Sequence, residues 1–108
     1  MVKFTIEGLS LEDYMRLLQT EEAPVMAKKY ALPVGGDLIN TTAVNNAFVD
    51  PSLVVNFFID NAQNVACGLI AAYLYDVIKD HRIKINDEPV KNDVKTIEEK
   101  LKAGDSNE

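Results

Sequence analysis

Residues 50–79 read DPSLVVNFFIDNAQNVACGLIAAYLYDVIK, and the expected architecture hangs on this run. Asp50 is a strong N-cap, and Pro51 at the first helical position forgoes an N–H that has no partner there. From that start the reading predicts one long helix to about Lys79, which at about 1.5 Å per residue would extend roughly 40 Å. Asn56, Asp60 and Asn64, four apart, mark a narrow polar stripe with Gln63 beside it. Nearly everything else is apolar: Leu53, Val54, Val55, Phe57, Phe58 and Ile59, then Val65, Leu69, Ile70, Tyr73, Leu74, Val77 and Ile78. A helix apolar around most of its girth needs cover on most sides, so this one is expected to be the spine of the molecule.

Upstream, Val2, Phe4 and Ile6 alternate with Lys3, Thr5 and Glu7, the period of a half-buried strand, and Gly8 closes it. Ser10 followed by Asp13 resembles a capping box, and Leu11, Tyr14, Met15 and Leu18 recur at helical spacing, predicting a helix over Leu11–Gln19. Between Thr20 and Asn46 the pattern dissolves at Pro24, Pro33, Gly35, Gly36 and the polar Asn40-Thr41-Thr42 patch. One or two helical turns over Val25–Tyr30 and an extended segment over Leu38–Val44 are the expectations there. Downstream, Arg82–Asn86 reads as a strand, Asn86-Asp87-Glu88-Pro89 as turn chemistry and Val90 as the start of a hairpin partner. Asn92 or Asp93 caps a last helix carrying Val94, Ile97, Glu98 and Leu101, with Gly104 as its C′ residue. The prediction is an α+β fold: a single domain over 1–104 with a frayed tail over 105–108. A long central helix, a small sheet of the N-terminal strand plus the C-terminal strand or hairpin, and flanking helices make it up.

Composition excludes several classes. The 108 residues, 47% apolar and 26% charged, suit one core that needs no staple. A single cysteine, Cys67, rules out an internal disulfide or a CxxC site, and a single histidine, His81, rules out a multi-histidine metal site. Seventeen acidic against eleven basic side chains give a net charge of −6, which repels phosphate-rich partners, so no direct nucleic-acid binding is expected. The most apolar stretch, Asn61–Tyr75, is shorter than the roughly 20 residues a membrane span requires, and no membrane association is expected. A free thiol with no positive region leading into an apolar one at the start predicts a cytoplasmic location.

Chemistry is sparse. Cys67 sits mid-helix among apolar neighbours and reads as an inert core thiol, and His81 reads as a charge at a helix C-terminus. Gly35-Gly36-Asp37 matches no phosphate-loop pattern, and the polar residues from Asn86 to Asp93 lack the spacing of a calcium loop. No catalytic residue, metal or cofactor is expected. The small residues Ala62, Ala66, Gly68 and Ala72 would let another backbone approach closely, either the chain's own strand or last helix or, across an interface, a second copy or a partner. A homo-oligomer is the reading adopted, anchored by Phe57, Phe58, Leu69, Tyr73 and Tyr75. The alternative is a small enzyme or ligand-binding protein with a polar site at Asn56, Asp60 and Asn64, completed by a tyrosine such as Tyr73.

From Val49-Asp50-Pro51 through the apolar helix to Ile83-Lys84-Ile85, the Asn86-Asp87 turn, Val90 and the Ile97–Leu101 helix, the sequence resembles the effector-associated constant component proteins of bacterial conflict systems. That resemblance implies a non-enzymatic accessory subunit docking onto effector machinery. The acidity also suits phage-encoded inhibitors of bacterial nucleases, anti-CRISPR proteins among them. The expected function is therefore a small acidic protein–protein interaction module, an accessory or inhibitory subunit in a defence or anti-defence system. Its expected partners are further copies of itself and an effector or nuclease subunit.

Overall fold

The structure is a computed structural model that describes residues 1–43 and 53–106. Along the chain come β1 (Val2–Leu9), α1 (Leu11–Leu18), β2 (Lys29–Ala31), β3 (Asp37–Asn40), β4 (Leu53–Asp60), α2 (Cys67–Ile78), β5 (Ile83–Ile85), β6 (Glu88–Val90) and α3 (Val94–Ser106). The strands form one six-stranded sheet in the order β2-β3-β4-β1-β5-β6. Every neighbouring pair is antiparallel.

Between Leu53 and Asp60 the chain is a central strand, which overturns the single long helix. Val54, Val55 and Ile59 are branched at Cβ and Phe57 and Phe58 are aromatic, the types that suit a pleated surface. Val55, Phe57 and Ile59 are buried, while Val54, Asn56, Phe58 and Asp60 face the other way. A spacing of four is also two strand periods, so Asn56 and Asp60 share a strand face as readily as a helix face. Asn61 then takes a left-handed conformation, φ 56°, which asparagine tolerates better than most residues, and its Nδ2 donates to Asp37 Oδ2 at 2.8 Å. A 3-10 turn at Asn64–Ala66 leads directly into α2. With β4 a strand, the expected small sheet becomes the main layer of the molecule. The Asp50-Pro51 helix start lies outside the described residues.

The irregular middle is organised by a buried polar side chain. Asn40 is wholly buried, and its Nδ2 donates to the carbonyls of Val25 (3.0 Å) and Thr42 (3.2 Å). Its Oδ1 accepts the Thr42 N–H at 2.9 Å and the Tyr14 hydroxyl. Every hydrogen-bonding position of the amide is thereby filled, as a buried polar group requires. The expected helical turns over Val25–Tyr30 are replaced by a tight turn, with Ala27 at φ 66°, that delivers Tyr30 into β2. The expected extended segment is β3 at Asp37–Asn40, while Val44 lies outside the described residues.

Elsewhere the reading and the structure agree closely. Ser10 Oγ accepts the Asp13 N–H at 3.1 Å and starts α1. Asp93 Oδ1 accepts the Thr96 N–H at 2.7 Å near the start of α3. The Asn86-Asp87 turn has both residues at positive φ and joins β5 to β6. Gly104 proves not to end its helix: α3 runs on to Ser106. A Cβ at Gly104 would lie 2.2 Å from Val2 Cγ2, so the glycine is there to let α3 close on β1.

The three helices contribute to a single core on one face of the sheet. Val2, Phe4, Ile6, Leu38, Val55, Phe57, Ile59, Ile83 and Ile85 meet Tyr14 and Leu17 of α1, Ile70 and Leu74 of α2, and Ile97 and Leu101 of α3. The Phe57 ring stacks on Phe4 at 5.4 Å between centroids and lies 6.4 Å from Tyr14. Burial of side chains this large supplies about 1.5–3 kcal/mol each.

Candidate protein-interaction surface

α2 owes its orientation to the strand before it and the helix after it. Cys67, Ile70, Ala71, Leu74, Val77 and Ile78 point into the core. The 3.6-residue period then sets Leu69, Ala72 and Asp76 along the opposite line, with Val65 ahead of them in the 3-10 turn that leads into α2, and all four are exposed. Val65 is 87% and Leu69 60% accessible, the two most exposed aliphatic side chains among the described residues apart from Met26. Isolated exposed aliphatics are ordinary, but here Val65, Leu69 and Ala72 are exposed within eight residues of chain.

A hollow of about 310 Å³ adjoins the row, between the β2–β3 turn (Val34, Gly35, Gly36) and the approach to α2 (Asn61, Gln63, Ala66). Its floor depends on Gly36, at φ 75°, where a Cβ would stand 3.2 Å from Ile70 Cδ1 and 3.3 Å from the Asp60 carbonyl. A side chain there would be strained at that φ and would need its neighbours to give by a few tenths of an ångström. Asp76 ends the row, Asp37 holds Asn61 at the hollow, and Glu98 of α3 lies 3.5 Å from where a Gly68 Cβ would be. Glu98 also pairs with Lys102 at 2.9 Å.

The residues singled out in the sequence separate into groups. Leu69 and Ala72 lie on the exposed row. Gly68 is half-buried against α3, so the close approach it permits is at least partly to the chain's own last helix. Ala62 and Ala66 are half-buried beside the hollow. Tyr73 is half-buried and its hydroxyl donates to the Leu17 carbonyl at 2.6 Å, tying α2 to α1; burial pushes that phenol above its ordinary range. Tyr75 is half-buried, Phe58 lies half-buried on the sheet face away from the helices, and Phe57 is wholly inside the core. Val65 is the member of the row that the interface reading left out. Its signal is the i, i+4, i+7 spacing with Leu69 and Ala72, hidden while the whole segment looked apolar all round.

The polar set does not assemble. Asn56 and Asp60 stand on the outer sheet face and Asn64 in the turn before α2. Asn56 is tied up: its Oδ1 accepts the Thr5 hydroxyl at 2.8 Å and its carbonyl accepts the Thr41 N–H and the hydroxyls of Thr41 and Thr42. The cavity beside Asp60 holds about 10 Å³, room for no more than one water. His81 Nδ1 lies 3.1 Å from the Glu7 carbonyl, and the buried Cys67 thiol faces the Gln63 carbonyl at 3.4 Å. Among the described residues no three metal-capable side chains gather, and no helix is long and apolar enough to cross a membrane.

Comparison with known proteins yields no matching family model, no matching curated protein and no matching solved structure.

Proposed function

We propose that this protein is a non-enzymatic interaction module, an accessory or inhibitory subunit of a defence or anti-defence system, that docks a protein partner on the outward row of α2. The exposure of Leu69 on α2, whose opposite side is buried, and of Val65 in the 3-10 turn leading into it carries this reading. Asp76 on the row's own line, together with a net charge of −6, favours a partner with an apolar anchor inside a basic rim. Effector and nuclease subunits, whose nucleic-acid-facing surfaces are basic, have that character. The resemblance to effector-associated constant component proteins supports the accessory role.

The test is a pair of charge substitutions. Leu69→Glu and Val65→Glu alter side chains that touch little of the core, so each should change stability by less than about 0.5 kcal/mol. Each should nonetheless abolish recovery of the partner that the unaltered protein retains from its native host. Retention of the same partner by the double variant, with its melting temperature unchanged, would remove the row from the interface.

A further inference from the structure

All three helices pack on one face of the sheet, and the register fixes what the other face presents. One row across it runs Lys29, Ile39, Phe58 and Lys3, and the next runs Asn56, Thr5 and Lys84. At one corner Asp37 stands directly opposite Asp60 on the neighbouring strand, a like-charge pair that weakens a sheet. Asp37 accepts from the Asn61 amide, but neither carboxylate has a cation within ion-pair distance among the described residues. The diagonally opposite corner is the reverse. Arg82 and Lys84 lie two apart on β5 and the approach to it, both exposed, and neither forms an ion pair among the described residues. Glu7 is the strand neighbour of Arg82, its N–H donating to the Arg82 carbonyl, and Lys3 is already neutralised by Asp87 at 2.9 Å. Lys29, Arg82 and Lys84 thus cancel Glu7, Asp37 and Asp60 on this face, in a chain whose net charge is −6.

We infer that a second copy of this chain covers the open face, the two sheets stacked about a two-fold axis lying between them. Copies that each carry −6 repel, and this face lets them meet where the charge cancels and each corner finds its opposite. With strands about 4.8 Å apart and outward residues on a strand about 6.7 Å apart, the lines from Asp60 to Lys84 and from Asp37 to Arg82 run parallel. A single two-fold across those lines seats Asp60 over Lys84 of the second copy and Asp37 within about 3 Å of the place above its Arg82. The same operation turns Glu7 toward Lys29 of the second copy, brings the two Phe58 rings together near the axis, and crosses the strands at roughly 70°, close to orthogonal sheet packing. The face measures roughly 24 by 20 Å, so two copies hide on the order of 1,000 Å² in all, the lower end for a specific interface. Association is therefore weak and concentration-dependent. This inference is separate from the α2 row and stands or falls without it.

A charge exchange across the face is the decisive test. Asp60→Lys lowers the chain's net negative charge and relieves Asp37, so general electrostatics alone would strengthen self-association and leave the melting temperature unchanged or raised. Solution mass measured over about a hundredfold concentration range should rise toward the dimer for the unaltered chain and for Leu69→Glu. For Asp60→Lys and for Lys84→Asp the midpoint should move up at least tenfold in concentration. The double variant Asp60→Lys with Lys84→Asp, whose net charge equals that of the unaltered chain, re-forms both contacts in reversed sense and should recover the original midpoint. A monomer at every concentration, a dimer undiminished in Asp60→Lys, or a double variant no better than the single ones would overturn the proposal.

Discussion

Tyr14 and Asn40 meet where α1, the irregular middle and the sheet converge, and the Tyr14 hydroxyl donates to the buried Asn40 amide oxygen. Burial pushes the Tyr14 phenol well above its ordinary range, against a smaller opposing effect from Thr42. A phenol whose folded pKa is raised contributes stability that is fully present below its unfolded value of about 10 and is lost as pH rises through the folded value. Urea unfolding followed from pH about 9 to 11 should thus show stability falling with pH. Tyr14→Phe should flatten that fall, leaving a remainder from Tyr73, at a cost near neutrality of about 1 kcal/mol for the lost bond. Gly104 offers a second single-residue test. Alanine inside a helix ordinarily gains about 1 kcal/mol over glycine. Here the contact with Val2 reverses the sign, so thermal unfolding of Gly104→Ala should show a net loss of roughly 1 kcal/mol. In a Val2→Ala background, where the obstructing methyl is gone, the same change should stabilise.

At the scale of elements, the alternation in β4 is the feature that separates the observed fold from a long helix. Phe57→Ala should cost about 3–5 kcal/mol because it opens the core. Its neighbour Phe58→Ala, on the half-open face, should cost less than about 1.5 kcal/mol by the area it exposes. Asn61 tests the same boundary through the backbone: Gly at a left-handed position should be tolerated, whereas Asn61→Val should lose about 1–2 kcal/mol. Chemical denaturation of the four variants reads all of these. Elements whose signals are local were legible in the sequence: the alternation of β1, the Ser10 cap of α1, the Asn86-Asp87 turn and the cap of α3. The strand–helix boundary was not, because Asp50-Pro51 is a strong local helix start and Asn56, Asp60 and Asn64 fit a period of four and of two alike. Nor was the β2–β3 pairing, since it depends on Asn40, whose role appears only when Tyr14 and Val25 are brought to it from distant positions. For the site, Leu69 and Ala72 were legible as surface residues of a helix. Phe57 was misjudged as an anchor because a strand, and not a helix, carries it inward.

For the molecule as a whole, a sheet covered by helices on one side gives α2 an inner face committed to the core and an outer face committed to nothing within the described chain. A net charge of −6 would make association with the proposed basic partner dependent on salt. Raising ionic strength from 0.05 to 0.5 M, which shortens the screening length severalfold, should slow association much more than it speeds dissociation. The central claim is that the Val65–Leu69–Ala72 row meets a partner, and site-specific photo-crosslinking in the native host tests it most directly. A photoreactive residue at position 69 should yield one discrete heavier adduct, containing one partner with a basic surface. The same probe at the exposed Lys95 of α3 should yield none. No adduct at position 69, or an equal yield at position 95, would contradict the account.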